Sequence, residues 1–113
     1  MKLAIVGTRN PGISYEKFCE FVQHYPVSEV ISGGAKGIDS YAARFAHENH
    51  LKLVEFKPDY SSYGRSAPIM RNSLIVDAAD GVIAFPNKSS RGTHDTINKA
   101  LSVGKILRVV HIP

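Results

Sequence analysis

Apolar and polar positions along this chain alternate between two periods. Short β-branched runs, of the kind a buried strand shows, are separated by longer stretches in which apolar residues recur three and four apart. Lys2 to Gly7 reads as a first strand, and Tyr15, Phe18, Val22 and Tyr25 then form one helical face with Ser14 as its N-cap. Glu29 to Ser32 is a second strand. Ile38, Tyr41, Ala42, Phe45 and Ala46 line a second helix ending near Asn49, and Leu51 to Phe56 is a third strand. After the polar stretch Lys57 to Ala67, Pro68 suits the first turn of a helix, where its missing N–H has no intrahelical partner. That helix runs from Ile69 to Ala78. Gly81 to Phe85 is a fourth strand, Gly92 to Val103 a fourth helix stopped by Gly104, and Lys105 to Val110 a fifth strand.

The alternation predicts an α/β fold: a single Rossmann-like three-layer domain over residues 1–113, with a parallel sheet of about five strands and helices on both faces. Right-handed crossovers favour the strand order 3-2-1-4-5. In such a sheet the ligand crevice lies outside the carboxyl ends of the strands, where the order reverses, between the first strand and the fourth.

Composition changes this picture little. The 113 residues are 43% hydrophobic, enough for one core, and the longest apolar runs, Leu3 to Val6 and Gly81 to Phe85, fall far short of the roughly 20 residues a membrane helix needs. No membrane partner is expected. Met1-Lys2 leads straight into a strand-like segment with no signal-peptide pattern, so a cytoplasmic location is expected. A formal charge of +4 without a Lys/Arg run is a weak pointer to an anionic partner. Cys19 cannot form an internal disulfide and is expected buried on the first helix. The five histidines have no metal-ligand spacing, and neither a metal nor a cofactor is expected.

The chemistry concentrates in three loops after strands: Gly7-Thr8-Arg9-Asn10, Ser32-Gly33-Gly34-Ala35-Lys36-Gly37-Ile38-Asp39, and Pro86-Asn87-Lys88-Ser89-Ser90-Arg91-Gly92-Thr93. The last two lead into helices whose free N–H groups and dipole favour an anion. Glycine lets the backbone approach an oxyanion, Thr8, Ser32 and Thr93 offer hydroxyls, and Arg9 and Arg91 offer forked N–H donors. Each loop alone also reads as a plain turn. Lys36 is followed by Gly37 rather than Ser or Thr, so the second loop is not a Walker A motif, and G-x-G-x-x-G is absent after the first strand. Asp39 either complements its helix dipole or binds a ribose hydroxyl. Arg71 and Asn72 are either a solvated pair or part of the site, with Arg71 facing the crevice while Ile69, Leu74 and Val76 pack on another side. On that reading, loss of Arg71 costs about 1.5–3 kcal/mol of binding and little stability. Tyr60 and Tyr63 either stack on a base or pack over the core.

Four ordered segments, Gly7-Thr8-Arg9, Ile31 to Asp39, Met70-Arg71-Asn72 and Ser90-Arg91-Gly92-Thr93, resemble the SLOG superfamily, and most closely its YspA/YpsA-related branch. The resemblance implies a Rossmann-like fold, often dimeric, and a ligand derived from nucleotides. It relates the chain to the Lonely Guy phosphoribohydrolases and to the single-stranded-DNA-binding DNA-processing protein A family. The phosphoribohydrolases carry P-G-G-x-G-T-x-x-E with a catalytic glutamate; here Thr96 stands at that position, and Asp95 is rotated by about 100° on the helix.

Three functions follow as expectations. The first is binding of a nucleotide or nucleotide-sugar by Gly7, Thr8, Arg9, Ser32, Gly33, Gly34, Lys36, Gly37, Asp39, Arg71, Asn72, Arg91, Gly92 and Thr93. The second is a nucleotide N-glycosidase or glycosyl transferase, with Asp39 and Arg71 as candidate catalytic residues, and the third is single-stranded nucleic-acid binding.

Overall fold

The structure, a computed structural model, describes residues 1–113. Its five strands are β1 (Lys2–Gly7), β2 (Glu29–Ser32), β3 (Lys52–Glu55), β4 (Gly81–Phe85) and β5 (Ile106–Val109), paired in the order β3-β2-β1-β4-β5. All the pairings are parallel, with Ala4 opposite both Ile31 and Val82 at the centre of the sheet. The helices are α1 (Tyr15–Val22), α2 (Ile38–Glu48), a short α3 (Tyr60–Tyr63), α4 (Ala67–Ala78) and α5 (Arg91–Ser102). The chain is an α/β Rossmann-like domain in the order the periodicity predicts.

Strand alternation divides the core in two. Leu3, Ile5, Ile83 and Phe85 point to the face covered by α1 and α2, where Phe18, Val22, Ile38, Ala42 and Phe45 meet them. Ala4, Val6, Val82 and Ala84 point to the other face, against Ile75 and Val76 of α4 and Ile97 and Ala100 of α5. Burial on both faces is why β4 reads as one apolar run rather than as an alternating strand. No helix is long and apolar enough to cross a membrane.

Local differences from the periodic pattern have identifiable causes. Ser14 caps α1, its hydroxyl accepting from Lys17 N–H at 3.1 Å. The helix ends at Val22, before Tyr25, which precedes Pro26 and is therefore biased away from helical geometry. Cys19 is only partly buried, because the inward face of α1 is carried by Tyr15, Phe18 and Val22 and the thiol stands at its flank. The polar stretch Lys57 to Ala67 contains α3, started by Asp59, whose carboxylate accepts from Ser62 N–H at 3.2 Å. On α4 Val76 packs inward as expected, but Ile69 and Leu74 are each 52% exposed. The inward side of that helix is taken by Pro68, Asn72, Ile75 and Val76; Leu74 falls on the opposite side of the 3.6-residue turn, and Ile69, on the same stripe as Val76, stands two turns nearer the helix start, where it remains exposed.

Candidate functional site

At the carboxyl ends of β1 and β4, where the strand order reverses, the three loops enclose a cavity of about 490 Å³. Its wall includes Gly7, Thr8 and Arg9 after β1, Gly33 and Asp39 after β2, Arg71 and Asn72 on α4, and Arg91, Gly92 and Thr93 at the start of α5. Ser32, Gly34, Lys36 and Gly37 do not line it. Ser32 is fully buried and its hydroxyl accepts from Gly34 N–H at 3.1 Å, Lys36 is exposed to solvent, and Gly37 is used for packing. Tyr60 and Tyr63 neither line the cavity nor pack over the core; they are 60% and 49% exposed on α3.

Arg71 is held rather than free. Its Nη1 donates to the Gly33 carbonyl at 2.9 Å and to the Phe56 carbonyl at 3.2 Å, and its Nε donates to Asn72 Oδ1 at 3.0 Å. A guanidinium has five N–H groups, so the two on Nη2 remain for the cavity. The approach to Gly33 is close enough that a Cβ there would run into Arg71 Nη1 and crowd Asp39 Oδ2. Burial lowers the Arg71 pKa from its ordinary value, against the nearby Asp39 carboxylate, which favours the charge. Asn72 is 3% exposed, and its Nδ2 donates to the Gly92 carbonyl and to Asp95 Oδ2, each at 3.1 Å. It is a clamp between α4 and α5 rather than a solvated group.

Asp39 is 7% exposed, and burial pushes its carboxyl up to about 6. The Ala35 N–H, donating to Asp39 Oδ2 at 3.1 Å, and the Arg71 charge oppose that rise without cancelling it. Arg9 and Arg91, both exposed, also line the cavity, in which Asp39 is the single carboxyl-bearing residue.

The start of α5 is open. The Ser90 hydroxyl accepts from Asn87 N–H at 2.7 Å and donates to the Asn87 carbonyl at 2.9 Å, so it does not cap its own helix. Arg91 N–H is bound to the Ser89 carbonyl and His94 N–H to the Ser90 carbonyl, each at 3.0 Å. Gly92 N–H and Thr93 N–H have no acceptor in the chain, and both residues line the cavity. Thr96, which the motif resemblance sets against the phosphoribohydrolase glutamate, is 1% exposed and turns its hydroxyl back to the Gly92 carbonyl at 3.1 Å. Asp95 points away, to Lys99 Nζ at 2.6 Å.

Sequence reasoning passed over Asn10, Asn87, Ser89, Ser90 and Thr96 as cavity residues. The first four belong to loops already singled out for their glycines and cations, so their amide and hydroxyl groups were the available signal. Elsewhere, no group of three or more His, Cys, Asp or Glu comes together in metal-ligand fashion.

No curated protein matches the chain. Among protein families, the one described as YAcAr, the YspA, cpYpsA-related SLOG family, matches residues 3–63, which run from β1 through α3 and include the loops after β1 and β2. The match covers more than half of the chain, and with the parallel sheet it establishes that this protein belongs to the YspA, cpYpsA-related SLOG family.

Proposed function

We propose that the cavity binds a phosphate-bearing nucleotide or nucleotide-sugar, with the phosphate at the start of α5. The observation that carries this reading is the pair of unbound N–H groups of Gly92 and Thr93 opening into a cavity walled by Arg9, Arg71 and Arg91. Unsatisfied N–H groups at a helix start, the helix dipole and guanidinium forks all favour an oxyanion. A cavity of about 490 Å³ is within the range of small-molecule sites. Membership of a SLOG family supports a nucleotide-related ligand at the same coarse level. Thermal-shift measurements with adenosine monophosphate, adenosine diphosphate ribose and cyclic dinucleotides test the reading: at least one of them raises the melting temperature in a concentration-dependent way. If none does so at millimolar concentration, the reading fails.

One observation favours a second reading, N-glycoside cleavage. Asp39 lines the cavity with its carboxyl raised to about 6, where it is able to hold or release a proton near neutral pH. Thr96 has no such capacity, so on this reading Asp39 supports the sugar cation or the departing base. Chromatography for free base after incubation with nucleoside monophosphates separates the readings: binding without base release leaves a binding module.

A further inference from the structure

We propose that Asn87 is a positioning residue that commits the Thr8 hydroxyl to donating a hydrogen bond to a phosphoryl oxygen of the ligand. This rests on the nucleotide reading of the cavity and assigns the polarity of one of its contacts. Asn87 links two loops. Its Oδ1 accepts from Ser89 N–H at 2.9 Å, and its Nδ2 donates to Thr8 Oγ1 at 2.8 Å. The first bond decides the second: a backbone N–H is only a donor, so the amide oxygen must face Ser89 and the NH₂ group must face Thr8.

Thr8 Oγ1 also accepts from Asn10 N–H at 3.2 Å. A hydroxyl has two lone pairs and one hydrogen, and here both lone pairs are occupied. The hydrogen remains, with no acceptor in the chain. Thr8 is 3% exposed and lines the cavity beside the loop that opens α5. Only an acceptor standing in the cavity satisfies this donor, and a ligand oxygen takes the place that water otherwise fills. With Gly92 N–H and Thr93 N–H at the same end of the cavity, the group that answers all of these donors is an oxyanion. A lone threonine would accept or donate as a ligand required. Held by Asn87 it only donates, so a ligand ammonium or N–H at that point finds no partner, and the contact discriminates as well as binds.

The test is a double-mutant cycle read by calorimetric titration with adenosine 5′-monophosphate and with adenosine. Asn87→Asp is close to isosteric. One carboxylate oxygen keeps the Ser89 N–H and the other accepts the Thr8 hydrogen, so the hydroxyl turns away from the cavity with the loop still satisfied. Thr8→Val removes the hydroxyl. For the monophosphate, Thr8→Val is expected to weaken binding about tenfold, Thr8→Ser to restore most of that loss, and Asn87→Asp to weaken binding at least about tenfold. In the Thr8→Val background Asn87→Asp is expected to cost about threefold at most, the share due to its charge alone. Adenosine, lacking the phosphate, should bind all the variants about equally. Asn87→Ala runs the same cycle if the Asp variant unfolds, with a smaller loss that also vanishes without the Thr8 hydroxyl. Equal losses in both backgrounds, or parallel losses for adenosine and its monophosphate, would overturn the role of Asn87 while leaving the site standing. If the wild type binds neither, the cycle is run with whichever of adenosine diphosphate ribose and the cyclic dinucleotides stabilises the chain, and stabilisation by none of them would overturn both.

Discussion

The chain has two glycine-containing loops that enter helices at the same edge of the sheet, one with its glycine packed against the Thr8 and Arg9 carbonyls and the other with its glycine in open space. At α2 the first turn is closed by packing against the chain itself, although Asp39 N–H and Ser40 N–H, like Gly92 N–H and Thr93 N–H at α5, have no acceptor in the chain. Ile38 N–H donates to the Thr8 carbonyl at 3.1 Å, and the Asp39 carboxyl reaches back to Ala35 N–H, so the positive end of the dipole already has a partner from its own first turn. At α5 the residue that should cap the helix spends its hydroxyl on Asn87, and two N–H groups face an open cavity. A glycine-rich loop before a helix therefore has two uses that sequence alone does not separate. One brings backbone against backbone, and the other leaves room for something outside the chain.

Gly37 tests the closed end most severely. Its φ of 77° and ψ of −123° belong to a region open essentially to glycine, and a Cβ there would run into the Thr8 and Arg9 carbonyls. Gly37→Ala should cost more than about 3 kcal/mol, from backbone strain and overlap together. Denaturant unfolding measures it. A loss below about 1 kcal/mol would mean that the α2 junction is not fixed by this contact.

Asp39 makes the closed end pH-dependent. Its folded pKa, about 6, lies above the ordinary aspartate value of 3.8, so the folded state binds the proton more tightly than the unfolded chain. The sign follows: this group's contribution to stability is fully present below about pH 4 and is lost as pH rises through about 6. A shift of that size corresponds to roughly 3 kcal/mol at most. Asp39→Asn keeps an acceptor for Ala35 N–H without the buried charge, so it should raise the melting temperature at pH 8 and leave it nearly unchanged at pH 4. Anion affinity follows the same proton. Adenosine diphosphate ribose keeps its charge between pH 5 and 8 and should bind wild type more tightly at the acid end. A flat profile in Asp39→Asn assigns that slope to Asp39, and an unchanged slope would remove Asp39 from the site.

Arg71 joins the two ends, and Arg71→Ala should weaken both fold and binding. The affinity loss is expected at about ten- to hundredfold, or 1.5–3 kcal/mol. The three bonds to Gly33, Phe56 and Asn72 add a stability loss of about 1–3 kcal/mol, which neither the site reading nor the solvated-pair reading of the sequence contains. Arg71→Lys should recover little of either, because an ammonium cannot serve the forked geometry. Calorimetry and denaturant melts on the same samples separate the two losses.

The fold was legible because a sheet buried on both faces writes itself as apolar runs and its helices as three-and-four spacing; Ala4 and Ile5 face opposite cores and are both fully buried. Of the site, the residue types were legible and the directions were not. Lys36 and Arg91 look alike as cations beside glycines, yet only Arg91 lines the cavity. Ile69 and Val76 look alike as apolar positions on α4, and which one packs depends on where the whole helix lies against the sheet. Asn87 carries no motif, and its importance comes from contacts to Thr8, 79 positions away in sequence, and to Ser89, which exist only once β1 and β4 are paired. Long-range pairing of this kind leaves no local periodic trace.

The smallest stability effect belongs to the open end, and it separates the two helix starts most cleanly. A Cβ built on Gly92 meets nothing within 4 Å, so the chain itself has no need of a glycine there. Gly92 stands in the first turn of α5, where alanine has the better helix propensity and reduces the freedom of the unfolded chain. Gly92→Ala should therefore leave stability unchanged or raise it by about 0.5 kcal/mol. The added methyl stands beside the unbound Gly92 N–H, in the space an oxyanion would occupy, so nucleotide affinity should fall about tenfold while the melting temperature holds or rises. Gly37→Ala shows the reverse pattern, with lost stability as the primary effect. Thermal melts and titration with adenosine monophosphate on Gly92→Ala decide the matter. Unchanged affinity would show that the space above Gly92 is not where the ligand lies, whatever the dipole of α5 favours.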